Sequence, residues 1–237
     1  MDRVSSSEYA TGFEHKTSIV KNAKKHLNQY CVINMDLKDF FPSVSKKKVF
    51  YLFSNLGYSK EMSYIFATIC TYQNALPQGA PTSPKLSNLS CIRLDKRLAG
   101  LCKTYGANYS RYADDITISG NKYIKNMIPI VKKIIQEEKF SVNNKKTRIL
   151  EKSQRQEVTG LNLNAGKVTV PRQYKRELQQ EIYYCKKFGV ANHLAHINCN
   201  KAFYKEHLYG KACFIKMVEP EKGKQFLKQL DEINWSY

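Results

Sequence analysis

Three acidic side chains stand where they could do metal chemistry. Asp36 ends the apolar, β-branched run Tyr30-Cys31-Val32-Ile33-Asn34-Met35, and Asp114-Asp115 follow about eighty residues later between two further apolar runs. Three carboxylates gathered at one point repel one another unless a cation lies among them. Hard oxygen ligands of this kind suit Mg²⁺, which keeps several waters and completes its octahedral shell with substrate phosphates. Two such ions activate an attacking hydroxyl and stabilise the leaving pyrophosphate of an in-line displacement. A lone strand-end aspartate, or an Asp-Asp pair in a polar turn, is also an ordinary surface feature, so the surrounding elements and words decide between the readings.

The elements that must bring these acids together are readable from periodicity. The run ending at Asp36 reads as a buried strand, and helices are expected from about Ser45 to Asn55, stopped by Gly57, and from about Lys60 to Thr71. Gln73 to Pro84 is rich in Pro, Gly, Ser and Thr and reads as a loop, with Pro84 opening a helix to about Tyr105. Ala107 to Tyr112 and Ile116 to Ser119 read as two strands of a hairpin with Asp114-Asp115 at its tip. A helix near Lys122 to Lys139 and short strands through Val170 complete an α+β lobe, a mixed sheet with helices on one face. After Pro171 the pattern turns helical, with Arg172 to Phe188, Lys201 to Val218 and Pro220 to Ile233. Residues 1–170 are thus expected to form the catalytic domain and 171–237 a small basic helical one.

Composition narrows the partners. Thirty-nine Lys and Arg against 20 Asp and Glu give a formal charge of +19, a field that attracts polyanions such as RNA, DNA or an acidic membrane face. No stretch approaches the roughly 20 apolar residues that span a bilayer, and the first residues begin no signal peptide, so the cytoplasm is the expected compartment. The seven cysteines include no C-x-x-C pair, which suggests neither a zinc site nor a disulfide framework.

The words around the acids resemble those of reverse transcriptases. Tyr112-Ala113-Asp114-Asp115 is similar to their Y-x-D-D box, and Asp36-Leu37-Lys38-Asp39-Phe40-Phe41-Pro42-Ser43 to their first-aspartate box. Between them, Leu76-Pro77-Gln78-Gly79-Ala80-Pro81-Thr82-Ser83-Pro84 looks like the family's loop-to-helix segment. The resemblance implies a right-hand polymerase with a palm, a C-terminal helical thumb, and Asp36, Asp114 and Asp115 as catalytic ligands of two Mg²⁺ ions. It implies nucleotide contacts from Asp39, Phe41, Gln78, Gly79 and Lys146. Phe41 would lie under the sugar and exclude a ribose 2′-OH, Gln78 and Gly79 would lie against the incoming nucleotide, and Lys146 would neutralise or protonate pyrophosphate. Phe41 reads equally as a core residue beside Phe40, and Gln78-Gly79 as a plain turn.

Two further words point to the retron branch of that family. Asn22-Ala23-Lys24-Lys25-His26 is similar to its N-A-x-x-H signature and Val158-Thr159-Gly160 to its V-T-G signature, so the resemblance implies RNA-binding roles for Asn22, His26, Val158, Thr159 and Gly160. On the thumb, Arg172, Lys175, Arg176, Lys186 and Lys187 lie close enough along one helix to track a phosphate backbone. Tyr174, Tyr183 and Tyr184 there either stack on bases or, the preferred reading, pack the lobe. The implied partners are dNTPs, a cognate structured non-coding RNA (msr-msd) and its DNA product (msDNA), begun from a guanosine 2′-OH, and a retron effector protein in anti-phage defence. Family members carry basic finger residues ahead of the point where this sequence begins, so most of the fingers are expected to be missing from this chain, truncated or supplied by another. A group II intron-like or diversity-generating reverse transcriptase, and a catalytically idle RNA-binding scaffold, are the competing readings.

Overall fold

Strand β1 (Cys31–Lys38) organises the first half of the chain, because both of its faces are covered. Cys31, Ile33, Met35 and Leu37 point into the main core, and Asn34 and Asp36 alternate onto the opposite face. The computed structural model describes residues 4–198 and 203–235. Among these, β1 pairs antiparallel with β3 (Asp115–Gly120) on one side and with the short strands β4 (Ser141–Val142) and β5 (Arg148–Glu151) on the other. Strand β2 (Asn108–Tyr112) adds to the far edge of β3. Every pairing of these strands is antiparallel; the parallel component of the expected mixed sheet is the isolated bridge of Ala10 to Arg111 at the β2 edge.

Helices cover the core face. In α5 (Ile92–Thr104), Leu94, Leu98 and Cys102 recur every fourth residue and are buried, as the 3.6-residue period requires. They meet Ile33, Met35, Ile116 and Ile118 together with Val131 and Ile135 of α6 (Ile128–Glu137). Each fully buried aliphatic side chain contributes about 1.5 to 3 kcal/mol of transfer free energy. Helices α2 (Lys46–Asn55) and α3 (Lys60–Cys70) are capped by Ser45 and Ser59, whose hydroxyls accept from the amides of Lys48 and Met62. The expected helix from Pro84 to Tyr105 is two, α4 (Ser83–Ser90) and α5, meeting at Cys91. A short helix the periodicity did not reveal, α1 (Ile19–Lys24), begins at the Ser18 cap.

The chain divides into two compact units, Met1–Thr159 with Leu163–Gly166, and Gly160–Asn162 with Lys167–Tyr237. The second contains α7 (Arg172–Phe188), α8 (Val190–His196), α9 (Tyr204–Val218) and α10 (Pro220–Asp231). Its core is Leu178, Ile182 and Cys185 of α7 with Leu208, Ile215, Phe226 and Leu230. Helices α9 and α10 approach closely at Gly223, where an added Cβ would lie 2.2 Å from Lys216 Cα. The expected start of α9 at Lys201 lies outside the described residues, as does Cys199. The six described cysteines are free thiols. No helix among the described residues is long and apolar enough to cross a membrane.

Candidate active site

Antiparallel register puts the acids together. Asp36 stands opposite Asp115 across β1 and β3, with Tyr112 opposite Asp115 on β2. Side chains directly opposite in such a pair have Cβ atoms about 4.5 to 5.5 Å apart, so the two carboxylates share one face at one end of the sheet. Asp114 lies in the tight turn between β2 and β3, and its carbonyl accepts from Leu37 N at 3.0 Å, which ties the turn to β1. The turn needs a left-handed residue, and Ala113 supplies it with φ +56°.

The electrostatics follow from that crowding. Burial, then the charges of Asp114 and Asp36, push the Asp115 carboxyl up to about 6, with Lys146 opposing. Burial likewise raises Asp114. Lys146 Nζ donates to Asp36 Oδ1 at 2.9 Å, and this bond first, then the Asp36 charge, raises the ammonium's pKa. Among the described residues no three His, Cys, Asp or Glu side chains are gathered so as to hold a metal ion by themselves, the three aspartates included. An open edge of carboxylates fits Mg²⁺, whose shell is completed by water and phosphate oxygens, better than it fits a metal needing four protein ligands.

The remaining nucleotide candidates lie in the same unit. Phe41 is half-buried, its ring 5.4 Å from Phe40 and 6.3 Å from the exposed Phe13. Phe40 is the buried member of the pair, and Phe41 is partly buried and packs against the core. Asp39, with φ +48°, and Gln78 and Gly79, with φ +90° at the glycine, are exposed on loops beside α2 and α4.

Two sets of expected RNA contacts need correction. Asn22, His26 and Val158 are buried, so they do not reach RNA directly. His26 Nδ1 and Nε2 lie 2.7 Å from the hydroxyls of Ser119 and Ser110, and Ser110 in turn donates to Asn22 Oδ1 at 2.6 Å. A Ser110 hydroxyl committed to Asn22 accepts from His26, which puts a proton on Nε2. Burial, with Lys25 nearby, lowers His26 to about 3. The signature therefore fastens α1 to the strands that carry Asp114 and Asp115. Thr159 Oγ1 reaches the Ile19 carbonyl at 3.4 Å, so the second signature sits against the first, and Gly160 remains exposed with φ +77°.

On α7, Lys175 donates to both oxygens of Glu219 at 2.8 and 3.0 Å, and Lys186 pairs with Glu232 at 2.6 Å. Lys175 is partly buried with its partner at the junction of α9 and α10, whereas Lys186 is exposed and its pair with Glu232 lies on the surface of the helical unit. Arg172, Arg176, Lys186 and Lys187 are the exposed members, and of these Lys186 is engaged with Glu232. Tyr174 packs on Phe214 at 5.4 Å, as expected, whereas Tyr183 is about half exposed beneath the Lys187 ammonium.

The buried pair Arg111 and Asp95 was not anticipated. A charge at the core-facing phase of a strand, and an aspartate on the apolar stripe of α5 beside Leu94 and Leu98, are the signals that announce it.

Comparison with known proteins identifies the family of the chain. Residues 4–163 match the family described as reverse transcriptase (RNA-dependent DNA polymerase). The chain is 36% identical to the retron Ec86 reverse transcriptase of Escherichia coli, over 100% of this chain and 71% of that protein. It is also 36% identical to the retron Mx162 reverse transcriptase of Myxococcus xanthus, over 94% of this chain, and spans 52% of that relative's length. Its fold resembles that of the telomerase from Candida albicans solved with a TWJ fragment of telomeric RNA, with a TM-score of 0.51 at 10% identity over 90% of this chain and 50% of that one. Since the likeness runs beyond the aspartate-bearing sheet to the whole length of the chain, the protein belongs to the reverse transcriptase family and, within it, to the bacterial retron enzymes.

Proposed function

We propose that the protein is an Mg²⁺-dependent, RNA-directed DNA polymerase that copies a cognate structured RNA, the msr-msd transcript, into single-stranded DNA. Synthesis starts from a guanosine 2′-OH, and the enzyme stays bound to the RNA–DNA product (msDNA), in the bacterial cytoplasm and with an effector protein in anti-phage defence. The observation that carries this reading is the pairing of Asp36 with Asp115 at one sheet end, with Asp114 in the adjoining turn and Lys146 bonded to Asp36.

Asp36, Asp114 and Asp115 would hold the ions. Bound there, a metal pair lowers the cost of ionising the attacking hydroxyl and of developing charge on the departing pyrophosphate. Lys146, already among the carboxylates, is placed to swing its ammonium onto that pyrophosphate and to give it a proton. The Phe41 ring blocks the space beside the sugar C2′, which selects dNTPs, and Gln78-Gly79 let backbone approach the nucleotide closely. Asp39 shares the loop between β1 and α2 with Phe41 and would contact the incoming nucleotide from there. Arg172, Arg176 and Lys187 follow RNA phosphates as point charges and forks.

Sequencing the nucleic acid that co-purifies with the protein tests this reading. A covalently branched RNA–DNA molecule, sensitive to both RNase and DNase, is the expected result. Ordinary cellular RNA without linked DNA would contradict it and favour an idle scaffold.

A further inference from the structure

The residue that shapes the turn between β2 and β3 is a guanidinium that touches none of the three aspartates. Arg111 is fully buried, and its Nη1 donates to the Ala113 carbonyl at 2.9 Å and to Asn88 Oδ1 at 3.0 Å. Its Nε and Nη2 bind Asp95 Oδ1 and Oδ2, each at 2.8 Å, and Tyr109 Oη also donates to Asp95 Oδ1 at 2.7 Å. The Ala113 carbonyl belongs to the peptide plane that leads into Asp114, and the Asp114 carbonyl is held by Leu37 N. Both planes flanking Asp114 are therefore clamped, one from the core and one from β1.

A second contact closes the same turn from outside. The segment Tyr9–Gly12 runs along the free edge of β2, with Arg111 N donating to Tyr9 O at 2.9 Å and Thr11 N to Arg111 O at 2.7 Å. Asn88 Nδ2 donates to Gly12 O at 2.9 Å, so one asparagine on α4 holds both the segment and the guanidinium. A Cβ on Gly12 would lie 2.7 Å from Ala113 N and 3.2 Å from Tyr112 C, both backbone atoms that cannot rotate away.

We infer that Arg111, backed by Asp95 and Asn88 and sealed by Gly12, is a positioning residue that sets the direction of Asp114 and Asp115 and so the divalent-ion affinity of the site. This rests on the polymerase reading of the aspartates. An alanine in the left-handed region returns to ordinary backbone unless its surroundings over-determine it, and these bonds do so.

Two variants approach the turn from opposite sides. Arg111→Leu with Asp95→Asn removes both charges of the buried pair at close to the original volume, keeps an acceptor for Tyr109 Oη, and removes the donor to Ala113 O. Gly12→Ala leaves the pair intact and presses on Ala113 N. Mn²⁺ binding to the nucleotide-free protein, followed by electron paramagnetic resonance of the free ion, is expected to weaken about tenfold in each, as for lost outer partners of metal ligands. Turnover should fall by about a hundredfold with the dNTP KM little changed, because misplacement acts on the reacting geometry. Circular dichroism reports folding, and if the double variant does not fold, Gly12→Ala alone decides. Wild-type Mn²⁺ affinity in either folded variant would overturn the inference. An Asp114→Asn control that kept both Mn²⁺ binding and synthesis would instead show that the metal reading itself had failed.

Discussion

At the residue scale, charge crowding and ring position give the most direct expectations. Asp115 is protonated below about 6, so divalent-ion affinity should fall steeply as pH drops through that value, a trend that metal titrations at pH 5 to 8 would show. Without metal its folded pKa exceeds the unfolded one, so the ionised group opposes folding, and the stability it supplies below pH 4 is lost as pH rises toward 6. Asp115→Asn is expected to raise metal-free stability at pH 7 by up to about 1 kcal/mol, kept small because the group is solvent-accessible and screened. Phe41→Ala should admit ribonucleotides; unchanged discrimination between dNTP and rNTP in primer extension would show that Phe41 merely packs against Phe40 and Phe13. The three aspartates were legible in the sequence because the words around them specify a strand end and a hairpin tip. Asn22 and His26 were less so, since polar residues at helical spacing look alike whether they face RNA or, as here, Ser110 and Ser119.

At the element scale, α1 is a brace for the hairpin, and its hold depends on pH. The folded His26 pKa of about 3 lies well below the ordinary value, so the unfolded chain takes up a proton first. Stability from this group is whole above pH 6.5 and is lost as pH falls from there toward 3, by about 2 kcal/mol between pH 7 and 5. His26→Gln should cost about 1 to 3 kcal/mol at pH 7, by disturbing the bonds to Ser110 and Ser119, and should flatten that acid limb. Urea unfolding at pH 7, 6 and 5 would reveal both effects, and parallel curves for the two proteins would exclude the brace. Helices with a clean apolar stripe, such as α7, were readable end to end. The six-residue α1 and seven-residue α8 were not, because so few turns leave no periodicity to read, and the division of α4 from α5 at Cys91 has no proline or glycine to mark it.

At the scale of the whole molecule, the chain forms two compact units, the first containing the acids and the second an exposed basic helix face. Reversing charge at Arg172, Arg176 and Lys187 together should lower the salt slope of RNA binding by about two to three, since each phosphate contact contributes roughly 0.7 to 0.9. Lys175 and Lys186 are left alone, because each ammonium is already paired within the unit, with Glu219 and Glu232. An unchanged slope in filter binding from 50 to 300 mM salt, with folding intact, would remove this face from the RNA interface. The central claim is that Asp36, Asp114 and Asp115 hold the ions for DNA synthesis, and primer extension on an RNA template with Mg²⁺ and dNTPs tests it most directly. Asp114→Asn, which keeps shape and removes charge, is predicted to abolish extension while RNA binding stays at the wild-type level; extension within a few-fold of wild type would contradict it.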